Sequence, residues 1–554
     1  MIGHSLDGQS YAEMISVACK NLNRYVDVVN DLNVFPIPDG DTGDNMMMTL
    51  KGGTNVEVTE EESLSEVSKS VAKGMLLNAR GNSGVILSQF FAGIADGFAG
   101  LETADTKAME EAFKQGVKRA YEAVMVPTEG TILTVAKEAT LAACNAQCED
   151  PEGFMGCFVS GAKESLEKTP DLLKVLKEAN VVDSGGAGLV YIAEGMLNYL
   201  TGEFDETDMA VVDNGGGKSA VSLDLDQFGP DSELEFGYCT ETLLRLQNSK
   251  CDPESFDVNI IRDFLNTIGN SIVCIKDDSI VKMHVHTMTP YKVLEFCQKY
   301  GEFLTIKIEN MMLQHNNLET GAAKESHEDA TPKARTKYGV VAVANGEGIK
   351  DDFISFGADE VIFGGQTMNP SAENFIQSFD RVNADDIYVL PNNGNIIMAA
   401  RQAAELYEKS RVHVIPTHSI GDAYAILGLL DFSGSPEEVE ESMLASMEGV
   451  ENAEISKSIR DANLNGVEIK DGEYIGIFNK QVVASKADLL EASKETIDKL
   501  NLKAHDIFII IRGKGVTAEE SKVLSDYAKS KNSFIEIVES DGRQDVYQFL
   551  FVAE

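Results

Sequence analysis

The sequence predicts a multidomain protein. An all-helical first part is followed by a small α+β segment and then by a layered α/β domain. Three observations carry this. Apolar residues recur at three- and four-residue steps up to about residue 200. Strand-like and helix-like runs alternate in the order βαββαβ between residues 233 and 315. From Tyr338 onward strand-like runs such as GVVAVA, EVIFGG, IYVLPN, YIGIF and IFIIIRG alternate with helical stretches.

In the first part, Ile15, Ala18, Leu22, Val26, Val29 and Leu32 form an amphipathic stripe, repeated by Leu64, Val67, Val71 and Met75. Residues 201–230 mix acids and glycines without periodicity, so 203–232 reads as a linker. Within it, Gly217-Lys218-Ser219 imitates the end of a phosphate-binding loop. That motif needs a glycine where Val212 stands. The middle segment, 233–315, reads as a ferredoxin-like unit with a hairpin around Asp277-Asp278-Ser279. The polar stretch 316–337 reads as a second linker, and 338–554 as an α/β domain with mainly parallel strands.

Composition narrows the function. The chain has 554 residues with 47 Lys+Arg against 90 Asp+Glu, a net charge of −43, which disfavours nucleic acid and anionic lipid surfaces as partners. Eight dispersed cysteines form no CxxC pair, as expected of free thiols in a reducing compartment. The start, MIGHSLDGQSYAEM, is not that of a signal peptide, and no apolar run is long enough to span a bilayer. A cytoplasmic protein without stable membrane insertion is expected.

The most informative stretch is NVFPIPDGDTGDNMMMTL. Asp39, Asp41 and Asp44 lie within six residues, interleaved with Gly40 and Gly43. Two unit charges 4 Å apart repel by about 4 kcal/mol at an effective dielectric near 20, and a hard cation removes that penalty. The alternative is an acidic turn capping a helix that begins near Asn45. Three further glycine-bearing turns precede apolar helices: NARGNSGVILSQ, with Asn82, Ser83 and Gly84; VPTEGTILTV, with Thr128, Gly130 and Thr131; and VVDSGGAGL, with Asp183. Free amides at helix starts favour phosphate oxygens. Each turn alone is equally an ordinary cap. Together they suggest loops gathered at one end of a helical bundle around a polyphosphate–metal complex.

In the middle segment, VKMHVHT places His284 and His286 on one face of a strand, with Val281, Met283 and Val285 on the other. In a ferredoxin-like unit the first and third strands are neighbours, so Cys239 could meet both imidazoles, a donor set that suits Zn²⁺. Two solvent-facing histidines and an inert thiol are the alternative. In the C-terminal part, FGGQTMNPSAENF and PTHSIGDAYAILGLL set Thr367, Asn369, His418 and Ser419 before apolar helices. Such turns would suit a carboxylate-binding loop, or else only a surface on which a lipid carrier docks. His413 and His505 read as structural.

The runs PDGDTGDNM, GNSGVILSQ, EGTILTV and DSGGAGL, in this order, resemble the nucleotide-binding domain of the dihydroxyacetone kinase superfamily, and the chain as a whole resembles the ATP-binding subunit of bacterial fatty acid kinase. The resemblance implies a barrel of antiparallel helices holding ATP and Mg²⁺. Asp39, Asp41 and Asp44 would be the metal-holding, catalytic carboxylates. Thr42, Asn45, Asn82, Ser83, Gly84, Thr131 and Asp183 would lie along the nucleotide. Related sugar kinases carry one more acid shortly before the first motif aspartate; Val34 stands there, and that ligand is not transferred. The resemblance also implies zinc on Cys239, His284 and His286, a C-terminal domain similar to fatty-acid-binding proteins, a fatty-acid-binding partner, a homodimer, and an acyl-phosphate product used in phospholipid synthesis. A kinase of dihydroxyacetone or polyols, and a non-catalytic nucleotide-sensing scaffold, are the competing expectations.

Overall fold

The computed structural model describes residues 5–33, 40–56, 59, 62–204, 238–253, 256–277, 279–310, 335–365, 369–464 and 466–554. Asp39, Thr367, Asp278, the Gly217-Lys218-Ser219 decoy and nearly all of both expected linkers lie outside these residues. The chain divides into two units, Met1–Asp213 with Pro332–Glu554, and Asn214–Thr331.

The helical part of the first unit contains α1 (Gly8–Arg24), α2 (Val26–Asp31), α3 (Thr42–Gly52), α4 (Leu64–Asn78), α5 (Gly81–Gly97), α6 (Thr106–Glu122), α7 (Ile132–Asn145), α8 (Pro151–Leu172), α9 (Lys174–Ala179) and α10 (Ser184–Thr201). Of the expected stripe, Ile15, Ala18 and Leu22 lie on the buried face of α1 together with Tyr11, Met14 and Cys19, whereas the helix breaks at Tyr25, so that Val26 and the buried Val29 belong to α2 and Leu32 follows it. Successive neighbours close a ring, α1 against α10, α10 against α8, then α7, α6, α5 and α4, which returns to α1. α3 packs on α1, α4, α5 and α10, and one continuous apolar core fills the ring. Helix starts are set by side-chain caps, such as Asp7 accepting from the Ser10 amide and Ser63 and Glu66 capping each other. The region is not wholly helical. β1 (Leu6–Asp7) pairs antiparallel with β2 (Thr103–Ala104), two residues that in each case lead into a capping aspartate or its helix.

The C-terminal part holds two larger sheets. β7 (Thr336–Ala344), β8 (Glu360–Phe363), β9 (Ala384–Leu390) and β10 (Arg411–Val414) form a parallel sheet in the order β10-β9-β7-β8. A helix separates each consecutive pair: Glu347–Ser355, Ala372–Val382 and Ile397–Leu406. β11 (Glu451–Lys457), β14 (Tyr474–Phe478), β15 (Gln481–Lys486), β16 (Ile507–Arg512), β17 (Glu536–Asp541) and β18 (Tyr547–Ala553) form a second sheet in the order β15-β14-β11-β18-β16-β17. Between β11 and β14, the short strands β12 (Ala462–Leu464) and β13 (Val467–Ile469) pair with each other antiparallel. The second sheet corrects the expectation of mainly parallel strands, because only β16 and β17 pair in parallel there. The physical reason is connection length. A parallel return needs a crossover, which the helix Ala518–Lys531 supplies between β16 and β17. No helix separates β14 from β15, where Asn479 and Lys480 both take positive φ, as a two-residue hairpin turn requires. His413 bonds Asp386 and Glu440 and stacks on Tyr388, a structural role as expected.

The second unit follows the element order β3 (Tyr238–Leu246), α11 (Asn259–Ile268), β4 (Gly269–Asp277), β5 (Ile280–Thr287), α12 (Pro290–Cys297) and β6 (Gly301–Asn310). Its antiparallel sheet has the order β4-β5-β3-β6, so its first and third strands are neighbours. Val281, Met283 and Val285 face its apolar core with Leu244, Ile261 and Leu265.

Candidate nucleotide site

The four motif turns are brought together at the starts of α3, α5, α7 and α10. α3 begins at Thr42, earlier than the helix start near Asn45 that the sequence suggests, with Asp41 at the capping position but making no side-chain cap bond. Asp44 falls in its first turn and accepts from Asn30 Nδ2 at 2.8 Å, while Asn30 Oδ1 accepts from the Gly43 amide at 2.7 Å. Thr42 Oγ1 donates to Asn33 Oδ1 at 3.1 Å, and Ser184 Oγ, at the start of α10, donates to the same oxygen at 3.2 Å. Gly81 opens α5 at φ +57°, the left-handed region that favours glycine, and a Cβ there would lie 2.6 Å from Asn45 Nδ2. A Cβ on Gly185 would lie 3.5 Å from Ser83 Oγ and 3.3 Å from Ile132 Cβ, so α5, α7 and α10 also begin side by side. Thr131 caps α7 through the Leu133 amide.

Four helix N-termini converging on one place sum their positive ends there, which favours a polyanion. Asp183 caps α10, accepting from the Gly186 amide at 2.7 Å and from the backbone of Ile132. Burial outweighs both bonds and pushes its carboxyl up to about 6. Asp41, Thr42 and Asn45 are buried, as is Asn369, whose Nδ2 donates to Asp41 Oδ2 at 2.6 Å.

Three buried side-chain atoms at this place lack a partner: Arg80 Nε, Asn82 Oδ1 and Asn369 Oδ1. Such atoms are destabilising unless something satisfies them. One guanidinium donor and two amide acceptors next to Asp41 are what a hydrated Mg²⁺–polyphosphate could satisfy, so the residues present fit that group. Arg80 was not foreseen, although it stands directly before GNSG, where a cation beside a glycine turn is a readable sign. Asn395 and Arg460 were missed too, since nothing local in the sequence ties them to the aspartates, whereas Asn33 opens the motif stretch itself and carried no assigned role.

In the C-terminal part, Ser419 is occupied in a reciprocal cap with Asp422 at the start of the helix Ile420–Gly428, and Asn369 faces Asp41. A cavity of about 310 Å³ opens at the ends of the parallel strands, with Asn345, Asn393, Asn395, His418, Glu454 and Lys480 in its wall. Burial, reinforced by Lys480, holds His418 below the usual imidazole value.

For the expected zinc site, the register sets Cys239 opposite His286 and Glu241 opposite His284 on adjacent strands. The side chains of these four residues lie outside the described structure, and no group of three or more potential metal-holding His, Cys, Asp or Glu side chains occurs among the described residues. The zinc expectation is therefore unsupported by side-chain geometry.

Comparison with known proteins defines the class first. Residues 36–198 match the DAK2 domain, residues 235–318 the FakA-like middle domain of fatty acid kinase, and residues 339–554 the FakA-like C-terminal domain. The chain is 39% identical over 561 residues to protein YloV of Bacillus subtilis (strain 168), covering 99% of each. It is 38% identical over 555 residues to protein SH1689 of Staphylococcus haemolyticus, again covering 99% of each. The chain belongs to the FakA-like family of fatty acid kinase. Among solved structures, DegV of Bacillus subtilis, a fatty acid binding protein, covers 40% of this chain and 100% of its own at 11% identity and a TM-score of 0.31. The Streptococcus pneumoniae Fatty Acid Kinase (Fak) B3 protein loaded with linoleic acid covers 40% and 99% at 11% identity and a TM-score of 0.29. No helix among the described residues is long and apolar enough to cross a membrane.

Proposed function

We propose that the protein transfers the γ-phosphoryl group of Mg·ATP to the carboxylate of a fatty acid presented by a separate fatty-acid-binding protein. The observation that carries this is the meeting of four helix N-termini around Asp41 and Asp44, in a chain whose family is named for fatty acid kinase. A carboxylate oxygen of the acyl chain attacks the γ-phosphorus, the bond to the β,γ-bridging oxygen breaks, and ADP leaves with that oxygen. The products are an acyl phosphate and ADP. A carboxylate is ionised at neutral pH, so no side chain need remove a proton, and catalysis reduces to positioning and charge neutralisation.

Asp39, Asp41 and Asp44 are the proposed metal-holding carboxylates, and bound Mg²⁺ supplies charge neutralisation on the β- and γ-phosphates. Asn30 fixes the rotamer of Asp44. The helix-start amides near Asn82, Ser83 and Gly84 face the phosphates in this reading, with Thr42, Asn45, Thr131 and Asp183 lining the nucleotide. Zinc on Cys239, His284 and His286 is proposed from the strand register and the donor types, in a structural role apart from phosphoryl transfer.

Full-length protein incubated with ATP, Mg²⁺, oleate and a fatty-acid-binding protein should release ADP, with no release when the carrier is left out. ADP release with dihydroxyacetone alone would instead establish the sugar kinase. Nucleotide binding without turnover on either acceptor would leave a scaffold.

A further inference from the structure

The C-terminal domain meets the helical domain at the mouth of the candidate nucleotide site. Asn369 Nδ2 donates to Asp41 Oδ2 at 2.6 Å, and the Asn369 carbonyl accepts from Arg80 Nη1 at 3.2 Å. Asn82 Nδ2 donates to Asn395 Oδ1 at 3.1 Å, and Arg460 donates to the backbone carbonyl of Asn33. Three of these contacts fall on Asp41, Arg80 and Asn82, which the nucleotide reading itself uses, and Arg460 grips the backbone of Asn33 in the same cluster. Beneath them, Ala79 and Val85 enter one apolar cluster with Ile362, Phe375 and Ala399, so the contact is anchored.

The chemistry of the Asn369 contact is specific. Asn369 is 2% exposed and Asp41 9% exposed, so little solvent competes for the bond. A neutral amide fixes one carboxylate oxygen while leaving the negative charge in place, whereas Lys or Arg would neutralise it. Asn369 Oδ1 has no partner and lies in the same side chain, adding an acceptor beside the carboxylate. Carboxylate and amide oxygens together are the donors that a hydrated hard cation takes.

We propose that the C-terminal domain forms a second wall of the Mg·ATP site, with Asn369 a positioning residue that fixes the Asp41 carboxylate. The inference rests on the Mg·ATP reading above. It makes the nucleotide site a property of two domains, so that a carrier docking on the C-terminal domain would meet the γ-phosphate across this contact.

The test uses the full-length chain and measures how much Mg²⁺ gives half-maximal ATP binding by calorimetric titration and half-maximal turnover at saturating ATP, together with kcat and KM for ATP. Asn369→Ala and Asn369→Ser should each raise the Mg²⁺ requirement and lower kcat by about 10-fold, the effect of losing one hydrogen bond to a charged group. Gln402→Ala serves as the control. It removes bonds to Gln89, Ser88 and the Leu76 carbonyl in the same domain contact. It should lower the unfolding temperature and leave the Mg²⁺ requirement unchanged. An unaltered Mg²⁺ requirement in both Asn369 variants would overturn the proposal. Raised activity in them would overturn it too, and would mark Asn369 as an obstruction at Asp41. If Asp41→Ala itself keeps its activity and Mg²⁺ response, the underlying reading fails instead.

Discussion

Replacing Arg80 by Met separates two roles that the structure would otherwise leave joined. The guanidinium is largely buried, and burial lowers its pKa. No ion pair to it occurs among the described residues; Nη1 meets only a backbone carbonyl, and Nε has no partner. A buried cation so poorly paired is a liability to the fold, so Met at this position should leave the protein as stable or more stable. If Arg80 faces phosphate, the same change removes one charge-assisted bond worth about 1.5–3 kcal/mol, or roughly 10- to 150-fold in affinity. Calorimetric titration of Mg·ATP into both proteins, paired with thermal unfolding in the absence of nucleotide, reads the two effects separately. The expected pattern is weaker Mg·ATP binding without loss of thermal stability. Unchanged affinity would refute the reasoning, whatever happened to stability.

Gly84→Ala should cost about 1–3 kcal/mol in the helical domain, because the added methyl would collide with Thr49 Oγ1 and lie 3.1 Å from the Asn45 carbonyl; a lowered urea midpoint checks this. Asp183 binds its proton more tightly when folded, at about 6 against the ordinary 3.8, so its stabilisation is complete below 3.8 and is lost as pH rises through about 6. Relative to Asp183→Asn, nucleotide-free wild-type protein should therefore gain up to about 3 kcal/mol between pH 7 and pH 4, read from paired urea midpoints. Parallel midpoints across that range would contradict the burial argument. Purified protein should carry zinc that Cys239→Ala releases without loss of ATP binding; zinc retained stoichiometrically in that variant would exclude Cys239 as a ligand.

The helical part was legible because its signals are local. The α1 stripe from Ile15 to Leu22 and the Asp183 turn act within a turn or two of themselves. The candidate site was legible for the same reason, as a set of short motifs at helix starts. The second C-terminal sheet was legible only in part, through YIGIF and IFIIIRG, which are β14 and β16. β11, with the sequence ENAEISK, and β15, with QVVASK, are weakly apolar and owe their pairing to partners far along the chain, as between Ala453 and Phe551. Alternation of strand and helix therefore suggests parallel pairing where hairpins actually occur. Asn369 reads from its neighbours as part of a possible lipid-carboxylate loop, because sequence spacing carries no information about a contact 328 residues away. Asn395 and Arg460 escape notice for that reason as well.

The most direct test of the central claim is a titration of ATP into the full-length protein with and without Mg²⁺, repeated for Asp41→Ala. A site built from clustered carboxylates and converging helix starts predicts tight binding only when Mg²⁺ is present, weakened by about 100-fold or more in the variant. Equal affinity with and without the cation, or an Asp41→Ala curve that overlays the wild type, would contradict it.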